Sequence, residues 1–395
     1  MSEWDKFNSY IFAYKRKNLS SIYIHIPYCK QKCSYCNFYF RTSQKDKKNL
    51  IDSILKEIDL RKSYLKNKSL NSLYFGGGTP SILKEEDLIK IFNKVKKYFE
   101  IKAETEISFE CNPDDLSKEK LKILKKLGVN RLSVGIQSFK DRDLQFMNRS
   151  HNSKQAKNCI KDAQDIGFKN ISIDLMFSLP NQSLNDWRKN LEKAFSLEIQ
   201  HISSYSLTIE EKTKLKHLID TNQINELDDI ESSKHFEILI SECEKRGFIQ
   251  YEISNFGKEN YFSKHNSIYW LGKEYLGIGP SAHSFDGDSR QWNISNNTKY
   301  IKQINESVLP FEKEYLSNSQ KYNDYIMTSL RTIWGINLNL IKTKFGIDAF
   351  IHLKKEIIKW IESEDVYLEK ENIFLTTKGK FISNSICSDL FILES

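Results

Sequence analysis

The stretch SIYIHIPYCKQKCSYCNFYF, Ser21–Phe40, sets an apolar, alternating run directly before Cys29, Cys33 and Cys36. The pattern over 21–26 predicts a strand, so the three thiols fall on the loop leaving its C-terminal end. Comparable runs recur at 72–75 (SLYF), 105–110 (TEISFE), 131–136 (RLSVGI), 171–177 (ISIDLMF) and 201–207 (HISSYSL). Between them the apolar spacing turns helical, over 46–66, 84–98, 117–127, 153–167 and 184–196, with Gly128 and Gly167 as stops. Strand and helix alternating in this way predict parallel strands joined by right-handed crossovers, in a barrel or a doubly wound sheet. In a barrel, chemistry gathers at the C-terminal ends of the strands, where the loops converge.

The strand endings fit that placement. GGGTPS (76–81) follows the second strand, FECNP ends the third with Glu110 and Asn112, and GIQSF ends the fourth with Gln137. The fifth strand holds Asp174 before SLPNQ, and SYSLT closes the sixth. Turn formation accounts for the Gly and Pro residues, but Glu110, Gln137 and Asp174 need partners if desolvated. One cavity over the strand ends would collect them all.

Composition sets the outer bounds. The chain has 395 residues, 39% of them hydrophobic and 12% aromatic, enough for a large domain with a smaller one beside it. Its formal charge of +8 is spread through helical stretches such as KKEIIKW, which are solvated faces rather than a nucleic-acid stripe. No apolar run reaches roughly 18 residues, which argues against a spanning helix. The opening MSEWDKFNSYIFAYKRKN carries acids early and lacks an apolar core or a small-residue cleavage site, so a cytoplasmic chain is expected.

Seven cysteines, an odd number, point to reduced thiols rather than a disulfide framework. Cys111, Cys159, Cys243 and Cys387 read as small packed residues. For the clustered three, a structural zinc site would want four ligands in two pairs, and no second pair stands nearby. A four-iron cube takes four ligands, so three cysteines leave one iron open. The C-x3-C-x2-C spacing lets one loop wrap such a cube, with Tyr28, Tyr35 and Phe38 expected to shield it from water. Gly76 to Gly78 would offer backbone groups to a charged small molecule.

CKQKCSYC after YIHIPY resembles the radical S-adenosylmethionine signature. YFGGGTPS, FECNP, RLSVGIQSF, MNRSH and IDLMFSLPNQ, followed by YEISNFG, HNSIYW and GIGPSAHSF, resemble the oxygen-independent coproporphyrinogen III oxidase family in order through nearly the whole chain. The resemblance implies a partial (β/α)6 TIM-like barrel over 1–255, a connecting region over 256–310 and a small C-terminal domain over 311–395. It implies a [4Fe–4S] cluster on Cys29, Cys33 and Cys36, with S-adenosylmethionine chelating the fourth iron. By motif, Tyr23 and Tyr35 line cofactor or cluster, and Gly77, Gly78 and Thr79 hold the methionyl end. Glu110, Gln137, Arg149, Asp174 and Thr208 fall where the family contacts the cofactor. Carboxylates suit its ribose and its cationic charge, and Arg149 suits its carboxylate.

One departure separates two functions. Family members that act as coproporphyrinogen dehydrogenases carry a further cysteine two residues after the third, where this chain has Phe38 after Asn37. The C-N-F ending and the HNSIYW motif, His265 to Trp270, resemble the HemW-like haem chaperone branch, which implies haem binding and delivery to respiratory acceptor proteins, some at the membrane surface. On that implication His265 is an axial haem ligand, with Tyr269 and Trp270 as aromatic faces, His283 as a second candidate and His25 and His151 as weaker ones. The same residues also read as a buried, hydrogen-bonded turn. The alternatives are a coproporphyrinogen oxidase and a zinc-bound structural module. Beyond about residue 310, helices over 319–333 and 349–363 with a strand pair around DVYLEKENIFLT suggest a helical, winged-helix-like domain with too few clustered basic residues for DNA.

Overall fold

The computed structural model describes residues 20–225 and 228–393. The N-terminal stretch read above as lacking a leader lies outside the described residues. Six strands come first, β1 (Ser20–Ile26), β2 (Leu70–Gly77), β3 (Glu106–Cys111), β4 (Arg131–Gln137), β5 (Ile171–Phe177) and β6 (His201–Ser206). Helices α1 (Lys47–Leu60), α2 (Glu85–Tyr98) and α3 (Lys118–Leu127) cross between the first four. Helices α4 (Asp141–Phe146) and α5 (Ser153–Asp165) precede β5, and α6 (Leu184–Phe195) precedes β6. Neighbouring strands from β1 to β6 pair in parallel, as their crossover helices require.

Each strand alternates, and the alternation has two destinations. Ile22, Ile24, Ile26, Phe75, Phe109, Val134 and Ile173 face the helices and are buried there. Phe75, for instance, stacks on Phe92 of α2 at 5.1 Å and packs on Phe109 at 5.2 Å. The alternate positions, Tyr23, Tyr74, Ser108, Ser133 and Asp174 among them, point into the barrel, which is therefore lined with polar groups. Helix starts follow local chemistry: Ser117 and Ser183 cap α3 and α6, Asn152 and Gln155 form a capping box at α5, and Gly128 ends α3 at φ 98°.

The sheet does not stop at six strands. Beyond β6 it adds β8 (Asn255–Gly257) and β7 (Ile249–Glu252), both antiparallel. On the other side β9 (Glu274–Ile278) pairs in parallel with β1, followed by antiparallel β10 (His283–Phe285), β11 (Ser289–Asn293) and β12 (Phe311–Tyr315). The strand order β12-β11-β10-β9-β1-β2-β3-β4-β5-β6-β8-β7 leaves the barrel open between its two outer strands. Residues 256–310, expected to connect two domains, thus contribute β9 to β11 to the main sheet. Glu57 of α1 ties them in, accepting from Gly279 N at 2.8 Å, Asn293 Nδ2 at 2.7 Å and Tyr300 Oη at 2.5 Å.

After α7 (Lys214–Asp220), α8 (Asp229–Glu244), α9 (Lys264–Trp270) and α10 (Asn297–Asn305), the chain enters its C-terminal part. Helices α11 (Asn318–Leu330), α12 (Leu338–Phe345), α13 (Ile347–Glu356), α14 (Ile358–Glu362), α15 (Thr377–Phe381) and α16 (Ser383–Asp389) surround a small sheet. That sheet comprises β13 (Ile336–Asn337), β15 (Asn372–Leu375) and β14 (Val366–Glu369), the last two being the expected hairpin. It has its own core of Tyr322, Ile326, Leu353, Ile373 and Ile386. No helix among the described residues is long and apolar enough to cross a membrane.

Candidate functional site

The cysteine loop is pinned before any ligand enters. Arg41 N donates to Pro27 O at 2.9 Å and Cys29 N to Arg41 O at 3.0 Å, which closes its two ends together. Ser34 N reaches Met147 O at 3.1 Å, fixing the loop's middle to the segment after α4. All three thiols are half-buried. Thr79 Oγ1 donates to Cys29 Sγ at 3.3 Å, and Arg149 Nη1 donates to Cys33 Sγ at 3.3 Å. Burial pushes the Cys29 thiol up to about 11 and raises that of Cys36 as well. Among the described residues no three Cys, His, Asp or Glu side chains converge on one ion position. Three thiols on one loop, with no fourth protein ligand beside them among the described residues, match the donor set of a cluster with one open iron rather than a four-ligand zinc site.

Opposite them lies the glycine turn at the end of β2. Gly77 sits at φ 106°, and a Cβ there would meet the His25 ring at 2.5 Å. A Cβ on Gly78 would meet the Tyr28 carbonyl oxygen at 2.6 Å. The glycines therefore let this turn press against the cysteine loop. Their amides are already used: Gly77 N donates to Glu110 Oε2 at 3.1 Å, Gly78 N to Ile26 O at 2.9 Å, and Thr79 N to Tyr28 O at 2.7 Å. Of the backbone N–H and C=O groups expected to face a ligand, these N–H groups are engaged within the protein.

Thiols and glycines open on a cavity of 1120 Å³, which also receives Tyr23, Tyr35, Glu110, Gln137, Arg149, Asp174 and Thr208. Every S-adenosylmethionine candidate is thus brought to one place. Glu110 accepts from Tyr74 Oη at 2.8 Å, yet burial, with Asp174 nearby, still pushes its carboxyl up to about 7. Burial raises Asp174 too, against a long hydrogen bond from Ser133 Oγ at 3.4 Å. Gln137 is held at φ 66° where the β4–β5 register slips between Val134 and Gln137. A left-handed glutamine costs energy and persists where surrounding structure enforces it, commonly at a site. Arg149 Nη2 donates to Asn112 Oδ1 at 2.7 Å and Gly135 O at 2.8 Å, while its buried Nε has no partner.

Residues 23–194 match the family model of the radical SAM superfamily. The chain is 35% identical to the heme chaperone HemW of Bacillus subtilis over 373 residues, spanning 93% of this chain and 98% of that protein. The chain belongs to the HemW family of radical SAM proteins. It is also 34% identical to the heme chaperone HemW of Buchnera aphidicola subsp. Schizaphis graminum, covering 93% of this chain and 96% of the relative. The solved coproporphyrinogen III oxidase HemN of Escherichia coli superposes with a TM-score of 0.83 over 97% of this chain and 93% of its own, at 21% identity. That likeness confirms the partial radical SAM barrel with a C-terminal helical region.

Within this HemW-family barrel the HNSIYW motif lies elsewhere. Helix α9 packs under the N-terminal ends of β2 and β3, so the motif plugs the floor of the barrel. The cysteines crown the other end, about 16 Å away along β2 at the usual rise per residue. His265 is buried; its Nδ1 lies 2.8 Å from Ser72 Oγ and its Nε2 2.8 Å from Tyr269 Oη. Tyr74 stacks on its ring at 4.8 Å, and burial pushes the imidazole down to about 3. With both nitrogens committed, the ring has none left for an axial bond, and neither His265, Tyr269 nor Trp270 lines the cavity. In this arrangement His265 and Tyr269 take the form of the other reading given to them, a buried, hydrogen-bonded turn.

The other imidazole candidates divide. His25 lines the cavity, but its nitrogens lie 3.3 Å from Tyr23 Oη and 3.2 Å from Tyr39 O. His151 is buried against Ile136 O, and His283 is exposed beside Trp292, outside the cavity. Of the expected shielding aromatics only Tyr35 sits against the thiols. Tyr28 is buried, donating to Asp46 at 2.7 Å, and Phe38 is 73% exposed at the cavity mouth. Sequence reasoning missed Tyr74, whose signal was its in-facing place two residues after Ser72. It also missed Phe236, Lys380 and Phe381, which reach the cavity from α8 and the C-terminal part.

Proposed function

We propose that this chain is a haem chaperone, binding haem and passing it to respiratory acceptor proteins in the cytoplasm or at the membrane surface. Cys29, Cys33 and Cys36 would hold a [4Fe–4S] cluster, which supplies an open iron for the amino and carboxylate groups of an exchangeable S-adenosylmethionine. The residues present fit that group: three half-buried thiols on a pinned loop, two of them already accepting hydrogen bonds, beside a turn whose glycines cannot carry a side chain. Glu110 and Asp174 would face the cofactor's cationic and ribose portions, and the unpartnered Nε of Arg149 is a donor held ready for a carboxylate. Tyr23, Tyr35, Gln137 and Thr208 would complete its walls.

The observation that carries the chaperone reading over the oxidase is the rim after Cys36. Asn37 Nδ2 donates to Glu210 Oε2 at 2.8 Å, and Phe38 points outward. Neither side chain can ligate iron or deliver a hydrogen atom. Proteins named heme chaperone HemW align over nearly the whole chain, which supports the same reading. The test is haem titration of the cluster-reconstituted protein beside an anaerobic coproporphyrinogen III assay. Stoichiometric haem uptake without protoporphyrinogen formation is expected. Turnover of the porphyrinogen would overturn the proposal.

A further inference from the structure

The cavity is larger than S-adenosylmethionine and a cluster side need. Ligand sites usually occupy about 300–1,000 Å³, and this one reaches 1120 Å³. Its two halves differ in chemistry. The half under β1 to β4 carries the thiols, Glu110, Gln137 and Arg149. The half beyond β5 is faced by Met176, Phe177, Phe236, Ile253 and Phe381.

Those apolar residues form one continuous wall. The Phe177 and Phe236 rings stack at 6.1 Å with planes 16° apart, and Phe381 meets Phe236 edge-on at 5.3 Å. The row runs from the end of β5, across α8, to α15 of the C-terminal part. The cofactor's methionyl and ribose groups do not call for such a surface, and its adenine is shorter than a row whose ring centroids step by 6.1 and 5.3 Å. A flat apolar molecule does, because aromatic rings offer it large buried area with little side-chain entropy to lose.

At the end of this row stands Lys380, which also lines the cavity. Its Nζ donates to the neutral Gln250 Oε1 at 2.7 Å, and among the described residues it forms no ion pair. The ammonium is largely withdrawn from water, and burial lowers its pKa, with Glu244 pulling the other way. A cation beside an aromatic wall, bonded directly to a neutral amide and with Glu244 acting only from beyond ion-pair distance, is a receptor for a carboxylate brought by a ligand. The polar edge is completed by Ser232, Ser233 and Ser254.

We infer that this half of the cavity is the tetrapyrrole subsite, with the macrocycle lying on the Phe177, Phe236 and Phe381 row and a propionate paired to Lys380. The inference rests on the haem-binding reading above and places the ligand between barrel and C-terminal part, away from the HNSIYW motif. The C-terminal part is then one jaw of the site rather than a separate docking module.

The experiment titrates haemin and haemin dimethyl ester into cluster-reconstituted full-length wild type, Lys380→Gln and Lys380→Arg, with circular dichroism confirming the fold of each. Esterification is expected to weaken binding to wild type about tenfold, Lys380→Gln to weaken haemin by a similar factor while leaving the ester unchanged, and Lys380→Arg to restore most of the haemin affinity. Phe236→Leu, which keeps an apolar core residue, is expected to weaken both ligands alike. Haemin binding by Lys380→Gln equal to wild type, or an ester effect that persists in Lys380→Gln, overturns the subsite while leaving haem binding intact. Failure of wild type to bind haemin at all overturns both the subsite and the chaperone reading.

Discussion

The floor and the rim of this barrel are built from the same six strands by the same alternation, yet they differ in what their polar groups still lack. At the floor, Glu106 accepts from Lys264 N at 3.0 Å and from His265 N at 3.1 Å, Ser72 links Ser21 to His265, and His201 lies 2.7 Å from Ser172 Oγ and 2.8 Å from Tyr251 Oη, with the Nε of Arg131 the exception left without a partner there. At the rim, the Arg149 Nε is unpartnered, two thiols are pushed up by burial, and burial also raises the carboxyls of Glu110 and Asp174. A satisfied buried network holds structure together, whereas groups left strained or unpaired are kept for something that arrives later. The aromatic and histidine content of a motif does not tell these two situations apart.

The comparison breaks or sharpens by mutation. The largest effect is expected at the rim: Cys33→Ala should reduce bound iron and sulfide after anaerobic reconstitution to a small fraction of wild type, with far-ultraviolet circular dichroism unchanged. Retention of a full cluster would remove the thiols from the site. At the floor, His265→Ala leaves a cavity and unpairs Ser72 and Tyr269, so denaturant unfolding should show a loss of about 3 kcal/mol. The haem spectrum of the folded fraction should not change. A lost axial band at unchanged stability would make the floor a haem site and erase the distinction.

Glu110 gives a smaller effect with a definite sign. Its folded carboxyl titrates near 7 against an ordinary value of 4.5, so the folded state prefers the protonated form. The stability it contributes is present at low pH and is lost as pH rises from about 4.5 to 7, by roughly 3 kcal/mol in the cofactor-free protein. Glu110→Gln should flatten that part of the stability profile measured by urea unfolding. An unchanged profile would mean that the rim carboxyl is not strained. The smallest effect belongs to Phe38→Ser, a residue already 73% exposed, which should leave stability within about 0.5 kcal/mol.

Much of this was legible before any coordinates. The six strand segments appear within a few residues of their expected bounds, because one face of each strand must be apolar to pack on helices and the repeat of two is local. The helix expected over 46–66 ends at Leu60, where Arg61 turns inward to Glu57 and Gln291 rather than continuing the periodicity. The cysteines, Glu110, Gln137 and Asp174 were legible as a set because strand ends in a parallel sheet share one rim, whereas Arg149, which follows α4, was legible only through the family resemblance. The seventh parallel strand, β9, was not, since its pairing with β1 joins segments some 250 residues apart, a relation no local pattern records.

Sequence by itself determined the period of the strands, the thiol spacing and the family, all of which are properties of short stretches or of their order. Tertiary structure alone decided which polar residues found partners. His265 and Arg149 look equally functional in a string of letters, but one is enclosed by Ser72 and Tyr269 at the floor and the other keeps a bare donor at the rim. Partner counting depends on groups brought together by the closure of the sheet, and that closure is a global balance of burial, not a local preference.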